Sequence, residues 1–347
     1  MNRVLRTTYI FILVFLFANM RSQHNQYSQF YSAQTYLNPA FTGANVCARL
    51  TTNYRKQWSA IPGTFTTYQV AFDHSWRRFN SGVGFLVNSD NAGSGSLKST
   101  QFSLLYAYEL RLHNKFSARA GFSAGGVQRS IDYSALTFGD QIARGGASSS
   151  VENLSTYRAT YFDMAFGILL YSQNDFMGFS VSHLNKPNQA LINGTSRLPS
   201  EYKFHGGHTF LLGKDASITK KADANSISTM RRSTENSITV AFNYKKQQKF
   251  NQLDLGFYYS KNIMTYGVWY RGIPLYKPFT WYSSNDAVIL VLGVTLEKLK
   301  IGYSYDFTIS KLSNLSSRGS NEISLSYQFC NQKKRKRSTI LISCPKF

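Results

Sequence analysis

A five-residue match to a hydrolase motif is the feature of this sequence that most directly offers covalent chemistry. Gly121-Phe-Ser-Ala-Gly125 fits the G-x-S-x-G pattern, in which a sharp turn between a strand and a helix exposes a nucleophilic serine. Here the match lies inside a long segment of alternating apolar and polar residues, and no helical pattern follows it. We therefore interpret it as a coincidence and keep a serine hydrolase only as a minor alternative.

Histidine spacing raises metal binding as a second kind of chemistry. His205 and His208 flank two glycines, and residues three apart on a strand point to opposite faces, so these rings do not share one ion. The sequence contains no acidic cluster, Walker sequence or dinucleotide fingerprint. We predict structural or lumen-facing histidines, no cofactor and no enzymatic activity.

The chain of 347 residues carries a formal charge of +22, which by itself favours nucleic acid or an anionic surface as a partner. Residues 1–22 decide the compartment, because two arginines precede the apolar run 9–18, and a short polar stretch follows it. This pattern predicts a secretory signal peptide that is too short to be a membrane anchor. We expect cleavage after Ser22, or alternatively after Ala18, and an exported protein that does not meet nucleic acid.

From residue 45 onward the sequence alternates with a period of two, which is typical of β-strands with two different faces. In 101–110, for example, Phe102, Leu104 and Tyr106 share one face, and Leu105 is an apolar intruder on the other. The second face carries mainly Ser, Gly, Asn and Gln. A soluble sandwich would turn charged residues to water, so this composition favours the lumen of a membrane barrel.

About fourteen segments alternate in this way, within a range of about 12 to 16, and even strand numbers of this size are typical of bacterial outer-membrane barrels. Because every backbone group in lipid must be paired, the strands must close on themselves. We predict an all-β fold, a closed antiparallel transmembrane β-barrel over residues 45–330. The predicted strands are 45–55, 64–74, 81–89, 97–110, 115–130, 158–172, 176–184, 201–212, 237–246, 251–260, 265–271, 286–296, 299–307 and 320–330. The glycine pairs at 82/84 and 93/95 are interpreted as barrel kinks and loop turns.

Connection lengths predict the orientation, since such barrels have short periplasmic turns and longer external loops. A periplasmic start of the first strand gives mostly short inner turns and long outer loops. Two connections break this rule. The predicted inner turn 213–236 is long and basic, with the pairs Lys220-Lys221 and Arg231-Arg232, and the predicted outer loop 247–250 is short.

Two segments flank the predicted barrel. In residues 23–44 the turn-forming pair Asn38-Pro39 prevents strand continuation, so we expect a folded-in lead segment that plugs or lines the lumen. Residues 331–347 are predicted to form a basic periplasmic tail, which is either simply solvated or binds an acidic protein, peptidoglycan or lipid headgroups. Its basic run consists of Lys333, Lys334, Arg335, Lys336 and Arg337.

Three cysteines permit one disulfide and leave one over. Cys47 opens the first predicted strand and Cys330 closes the last, and barrel closure makes those strands neighbours. A bond between Cys47 and Cys330, or from Cys344 to either of them, is therefore one hypothesis. Free, unrelated thiols are the other.

Several runs of residues resemble the PorP/SprF family of type IX secretion membrane proteins, and together they span nearly the whole mature chain. The longest lie in the lead segment, in the first hairpin and in the predicted loops. They are Gln26-Tyr-Ser-Gln-Phe-Tyr31, Tyr36-Leu-Asn-Pro-Ala-Phe-Thr-Gly43, Tyr54-Arg-Lys-Gln-Trp58, Leu136-Thr-Phe-Gly-Asp-Gln-Ile142, His183-Leu-Asn-Lys-Pro-Asn-Gln189, Trp269-Tyr-Arg-Gly-Ile-Pro274 and Gly302-Tyr-Ser-Tyr-Asp-Phe307. The resemblance implies an outer-membrane protein that works with the periplasmic ring lipoproteins of the secretion machine, or that serves export or retention of a surface adhesin such as a gliding adhesin.

Five residues within or beside these runs are candidates for contacts with partners at the barrel rim. A tryptophan can anchor at the membrane interface, and a guanidinium can bind a phosphate or a carboxylate. Anchoring and loop structure alone explain such residues equally well. The candidates are Arg55, Gln57, Trp58, Asp140 and Arg271. The competing hypothesis for function is a porin for small solutes, which a lumen of Ser, Asn and Gln would serve.

Overall fold

The computed structural model describes residues 26–61, 63–93, 97–112, 116–133, 136–146, 157–191, 194–212, 236–273, 285–310 and 317–330. The predicted signal peptide, the basic pairs within 213–235, the basic run 333–337 and Cys344 lie outside these residues.

Fourteen antiparallel strands form one closed barrel. Each strand pairs with its neighbours in the chain, and β1 pairs with β14 from Ala48↔Phe329 to Gln57↔Ser320. We call the end where β1 begins and β14 ends the proximal end, and the opposite end the distal end. The strands are β1 (Ala48–Gln57), β2 (Phe65–Trp76), β3 (Ser81–Ala92), β4 (Leu97–Arg111), β5 (Ser117–Ile131), β6 (Tyr157–Tyr171), β7 (Asp175–Ser182), β8 (Glu201–Leu211), β9 (Ser237–Gln247), β10 (Phe250–Lys261), β11 (Met264–Gly272), β12 (Asn285–Thr295), β13 (Leu299–Thr308) and β14 (Ser320–Phe329).

The period-two pattern places one set of side chains outside and the other inside. On β4, Leu104 is 62% exposed whereas Leu105 is 4% exposed and packs in the interior with Ala71 and Leu86. The outward set is apolar and aromatic over most of the wall, as a lipid-facing belt requires. All fourteen predicted strands are confirmed, and their predicted ends lie within three residues of the observed ones.

Helical structure is limited to short pieces in the described residues. The lead segment contains one turn of α-helix, α1 (Gln34–Leu37), and a 3-10 helix (Pro39–Phe41) that begins after Asn38. A second 3-10 helix (Arg77–Phe79) joins β2 to β3, and α2 (Gly139–Ala143) lies in the distal β5–β6 connection. Among the described residues, no helix has the length and hydropathy needed to cross a membrane.

The main core of the molecule lies inside the barrel, where aromatic residues of the lead segment meet aromatic residues of the wall. The Phe30 ring is 4.7 Å from that of Trp269, and the Tyr31 ring is 5.4 Å from that of Phe176, both edge to face. Phe41 is fully buried and stacks at 5.5 Å on the ring of His205. The lead segment is therefore part of the hydrophobic core and not an external arm.

Candidate functional site: a segment held inside the barrel

The distal contact of the lead segment is made by two successive backbone nitrogens. The amides of Ser28 and Gln29 donate to the carboxylate of Glu322 on β14, at 2.6 and 3.3 Å. The Ser28 hydroxyl donates to Asp306 on β13 at 2.6 Å. Backbone N–H groups are good partners for a buried carboxylate because they carry no charge that must itself be desolvated.

Two arginines complete this distal cluster. Arg55 donates to Ser28, to Asp306 at 2.8 Å and to Glu322 at 3.4 Å. Arg271 pairs with Asp254 at 3.1 Å and with Asp306 at 3.0 Å, and it also donates to the Ser28 hydroxyl at 3.1 Å. Two guanidinium groups thus share three carboxylates, and neutral donors of the lead segment supply further hydrogen bonds to Glu322 and Asp306.

The middle of the segment is fixed by Asn38. Its side-chain amide donates to the carbonyl of Ile168 on β6 at 3.0 Å and to that of Phe179 on β7 at 3.2 Å, and lies 3.2 Å from the ring of His205. Its carbonyl oxygen accepts from the amide of Ala40 at 2.9 Å and so starts the 3-10 helix. The Asn38-Pro39 pair predicted to stop a strand also ties the segment to the wall.

The proximal part is held by Arg119 and Arg49. Arg119 on β5 donates to the carbonyls of Ala40 and Thr42, at 3.0 and 2.5 Å, and pairs with Glu109 at 2.8 Å. Arg49 on β1 donates to Gln34 at 2.6 Å and pairs with Asp73 at 2.9 Å. The same aspartate accepts from the amide of Gly43 at 3.0 Å.

Lumen-facing glycines let the segment lie against the wall backbone. A Cβ on Gly121 would lie 2.3 Å from the Ala40 nitrogen, and one on Gly82 would lie 2.1 Å from the Thr42 oxygen. Gly167 makes room for the Asn38 side chain in the same way, and Gly178 makes room for the His205 ring beside it. The interpretation of Gly82 as a barrel kink is therefore incomplete, because its missing side chain is what admits Thr42.

These contacts give the segment a direction. Ser28 lies beside Arg55 and Glu322, two pairs below the distal end of the β1–β14 ladder, whereas Cys47 adjoins its proximal end. Residues 26–47 therefore run from the distal end of the lumen to the proximal end. Hydrogen bonds link them to eleven strands: β1, β2, β3, β5, β6, β7, β8, β9, β11, β13 and β14.

One buried hydroxyl of the segment also reaches the wall. Tyr27 is buried, and its hydroxyl donates to the side-chain oxygen of Asn88 at 2.6 Å. This bond holds the distal part of the segment to β3.

The structure corrects two expectations about the wall. The lumen was predicted to carry mainly small, uncharged residues, but it also contains the buried ion pairs described above. Arg55 and Arg271 were assigned to an accessible rim, yet they are only 2% and 1% exposed. They face inward because they lie on the lumen side of β1 and β11, where the period-two rule had already put them.

The other rim candidates remain near the distal end. Gln57 and Trp58 are half-buried, with the Trp58 ring 5.6 Å from that of Phe65. Asp140 lies in α2 and pairs with Arg144 at 2.5 Å. These three residues and the buried arginines do not form one site.

The motifs that raised enzymatic chemistry take up structural positions. Gly121-Phe-Ser-Ala-Gly125 lies in the middle of β5, and not at a turn between a strand and a helix. His205 is buried against the lead segment. His208 is partly exposed on the other face, and its Nδ1 lies 2.6 Å from a carboxylate oxygen of Asp175. The two rings lie on opposite faces of β8, as the spacing predicts.

A disulfide joins Cys47 to Cys330, with Cα atoms 5.0 Å apart. These residues directly precede β1 and follow β14, so the bond joins the two ends of the chain's barrel at its closing seam. It also marks the proximal end of the lumen, where the lead segment ends and β1 begins.

A closed barrel with an apolar outer belt and a filled interior defines an integral outer-membrane β-barrel. The chain belongs to the family described as type IX secretion system membrane protein PorP/SprF, whose model matches residues 19–327. The predicted resemblance and outer-membrane location are thereby confirmed. The protein is a membrane component of type IX secretion, a system in which it associates with other components, and its family and fold are not those of an enzyme.

Solved structures with a similar outline are outer-membrane barrels of low identity. A CymD monoaromatic hydrocarbon channel has 13% identity and a TM-score of 0.46, with 88% of this chain and 94% of that chain covered. A FadL homologue of Pseudomonas aeruginosa has 12% identity and a TM-score of 0.41, with coverages of 86% and 94%. CdiB from Acinetobacter baumannii has 6% identity and a TM-score of 0.44, with coverages of 82% and 60%. A search of curated proteins found no match.

Proposed function

We propose that this barrel binds and guides cargo of the type IX machine, for export or surface retention, at the ends of the barrel and not through its lumen. The cargo is a large surface protein such as a gliding adhesin, and the periplasmic ring lipoproteins are the partners at the proximal end. Catalysis has no part in this role.

The observation that carries the proposal is the filled lumen. Residues 26–47 are hydrogen-bonded to eleven strands, and their removal would take from Glu322, Asp306 and Arg119 the hydrogen bonds that Ser28, Gln29, Ala40 and Thr42 make with them. Leaving one such buried polar atom without its partner costs about 1–3 kcal/mol. A barrel whose interior depends on this segment serves better as a rigid docking body than as a conduit.

The alternative is a small-solute porin. An open porin has a lumen lined by hydrated polar side chains, whereas the lumen residues Ser304, Asp254, Gln69 and Glu322 are each at most 1% exposed. The burial of these residues argues against a permanent aqueous path at their level.

Two measurements test the proposal. The first is a pull-down of the tagged full-length protein from native outer membranes, with a salt wash and mass spectrometry of the bound proteins. Recovery of ring lipoproteins or of one large surface protein supports the role. The second is conductance in planar bilayers, which we expect to remain at the background of the bilayer; stable open channels together with no bound partner would favour the porin.

A further inference from the structure

Two basic residues face the membrane side by side near the distal end of the barrel. Lys98 on β4 and Arg158 on β6 both pair in register with Ser130 of the intervening strand β5. The three side chains share the outward face, and both basic side chains are exposed. Strands two apart are roughly 10 Å from each other, so a lysine and an arginine can reach one anion between them.

Within the strands β4, β5 and β6, no carboxylate lies on the outer face of the wall. The carboxylates of β4 and β6 are Glu109 and Asp163, and both lie on the lumen side, where they pair with Arg119 and His183. The described ion pairs include neither Lys98 nor Arg158. The pair therefore offers two unneutralised positive charges to a ligand.

The wall below the pair is apolar. Five successive rows of outward residues, each paired in register across β4, β5 and β6, are apolar or aromatic. The first row is Phe102–Gly126–Phe162 and the last is Leu110–Ala118–Leu170. At the usual rise and tilt of such strands these rows span roughly 20 Å of the membrane normal. Lys98 and Arg158 lie two rows beyond them, which is the level of the outer-leaflet headgroups when the proximal end is periplasmic.

A trough runs down this apolar surface, and one row, Thr100–Gln128–Thr160, separates it from the basic pair. Along the trough the outward residues of the central strand are the small Gly126 and Ala124, and large side chains flank each of them on β4 and β6. The flanking residues are Phe102 and Phe162 for Gly126, and Leu104 and Met164 for Ala124. A Cβ added to Gly126 would meet no atom within 4 Å, so the space above this glycine is open.

We propose that the outer face of β4–β6 is a binding site for one phosphorylated lipid of the outer leaflet. The phosphate lies between Lys98 and Arg158, where the lysine supplies a point charge and the guanidinium two parallel donors. An acyl chain of the same molecule lies in the trough over Gly126 and Ala124. The site is on the opposite side of the wall from the lead segment and does not depend on the role in cargo binding.

The test is native mass spectrometry of the full-length protein in detergent, titrated with bis-phosphorylated lipid A. We expect one tightly bound molecule in the wild type. Since each basic residue near a membrane surface contributes about one kcal/mol to the binding of anionic lipid, the double variant K98Q/R158Q should bind about 10- to 30-fold more weakly. Gly126→Leu keeps both charges but fills the trough, and its affinity for lipid A should also fall by at least about tenfold.

The matched control is K56Q/K246Q, which removes two exposed, outward-facing lysines from the distal ends of β1 and β9. It should bind the lipid within about twofold of the wild type. Heat-modifiable mobility in gels shows that every variant is a folded barrel.

Three results would overturn the proposal. The first is unchanged binding by K98Q/R158Q, or by Gly126→Leu. The second is an equal loss in the control, which would mean diffuse attraction to a basic rim. The third is equal binding of dephosphorylated lipid A, or complete displacement of the lipid by inorganic phosphate, since the site would then recognise the acyl chain alone or the anion alone.

Discussion

The backbone nitrogen of Ser28 donates a 2.6 Å hydrogen bond to the carboxylate of Glu322, 294 residues later in the chain. One partner belongs to the first described residues and the other to the last strand of the barrel. The bond therefore links the inner segment to the seam at which the barrel closes. It also satisfies a carboxylate that is fully buried.

Replacing Glu322 by Gln should destabilise the barrel. The variant removes the charge that Arg55 and two backbone amides share, so we expect a loss of about 3–5 kcal/mol in the free energy of unfolding. Unfolding in denaturant, followed by tryptophan fluorescence of the detergent-solubilised protein, measures it. Glu297→Gln, which makes the same change at an exposed proximal residue, should stay within about 0.5 kcal/mol of the wild type. Equal stability of the two variants would mean that the buried cluster is not formed.

The Gly121→Ala variant tests the fit between segment and wall. Its Cβ would lie 2.3 Å from the Ala40 nitrogen, so the 3-10 helix must shift, at a cost of about 1–3 kcal/mol. We expect a lower midpoint of unfolding and faster proteolysis of the lead segment. Gly139→Ala, where an added Cβ meets no atom within 4 Å, should match the wild type in both assays. A Gly121→Ala protein as protected as the wild type would argue against close packing at this point.

Peptide mapping without reduction should recover Cys47 linked to Cys330. A cross-link that closes a loop of this length stabilises by about 5 kcal/mol in the chain-entropy model, so the C47S/C330S variant should unfold at lower denaturant. The barrel should still close, because ten residue pairs join β1 to β14. Cys344→Ser is the control and should retain the linked peptide. If the linked peptide were missing from the Cys344→Ser variant, the disulfide would instead involve Cys344.

Trp58 is the rim candidate best placed for a partner at the distal end. The Trp58→Ala variant removes a half-buried indole whose described ring contact is Phe65, so the fold should persist while recovery of the surface protein in the pull-down falls several-fold. Trp76→Ala is matched to it, since Trp76 is exposed on the outer wall at the proximal end. Equal recovery from both variants would remove Trp58 from the candidates.

The strands were predictable because alternation is a local property. On β4 and β13, for instance, a lipid-facing series of aromatic and aliphatic residues fixes the face of every side chain without knowledge of the neighbours. Closure then followed from backbone pairing in lipid. Even the cysteine hypothesis depended only on which strands are first and last.

The interior was harder to predict because its contacts join residues that are far apart in the chain. Nothing near Arg55 in the sequence indicates that its partners are Asp306 and Glu322, so its charge was interpreted as a surface feature. One local signal was present, because Arg55 shares the lumen-facing parity of Asn53 and Thr51. A charge at such a position must be paired inside the barrel.

The disulfide at the seam makes the barrel a covalent ring from which the inner segment branches. Cys47 and Cys330 are 283 residues apart, and all the distal loops lie between them. A single protease cut in any of these loops therefore produces no separate fragment until the disulfide is reduced. A nick at the cell surface would leave the segment, the seam and every strand in one molecule.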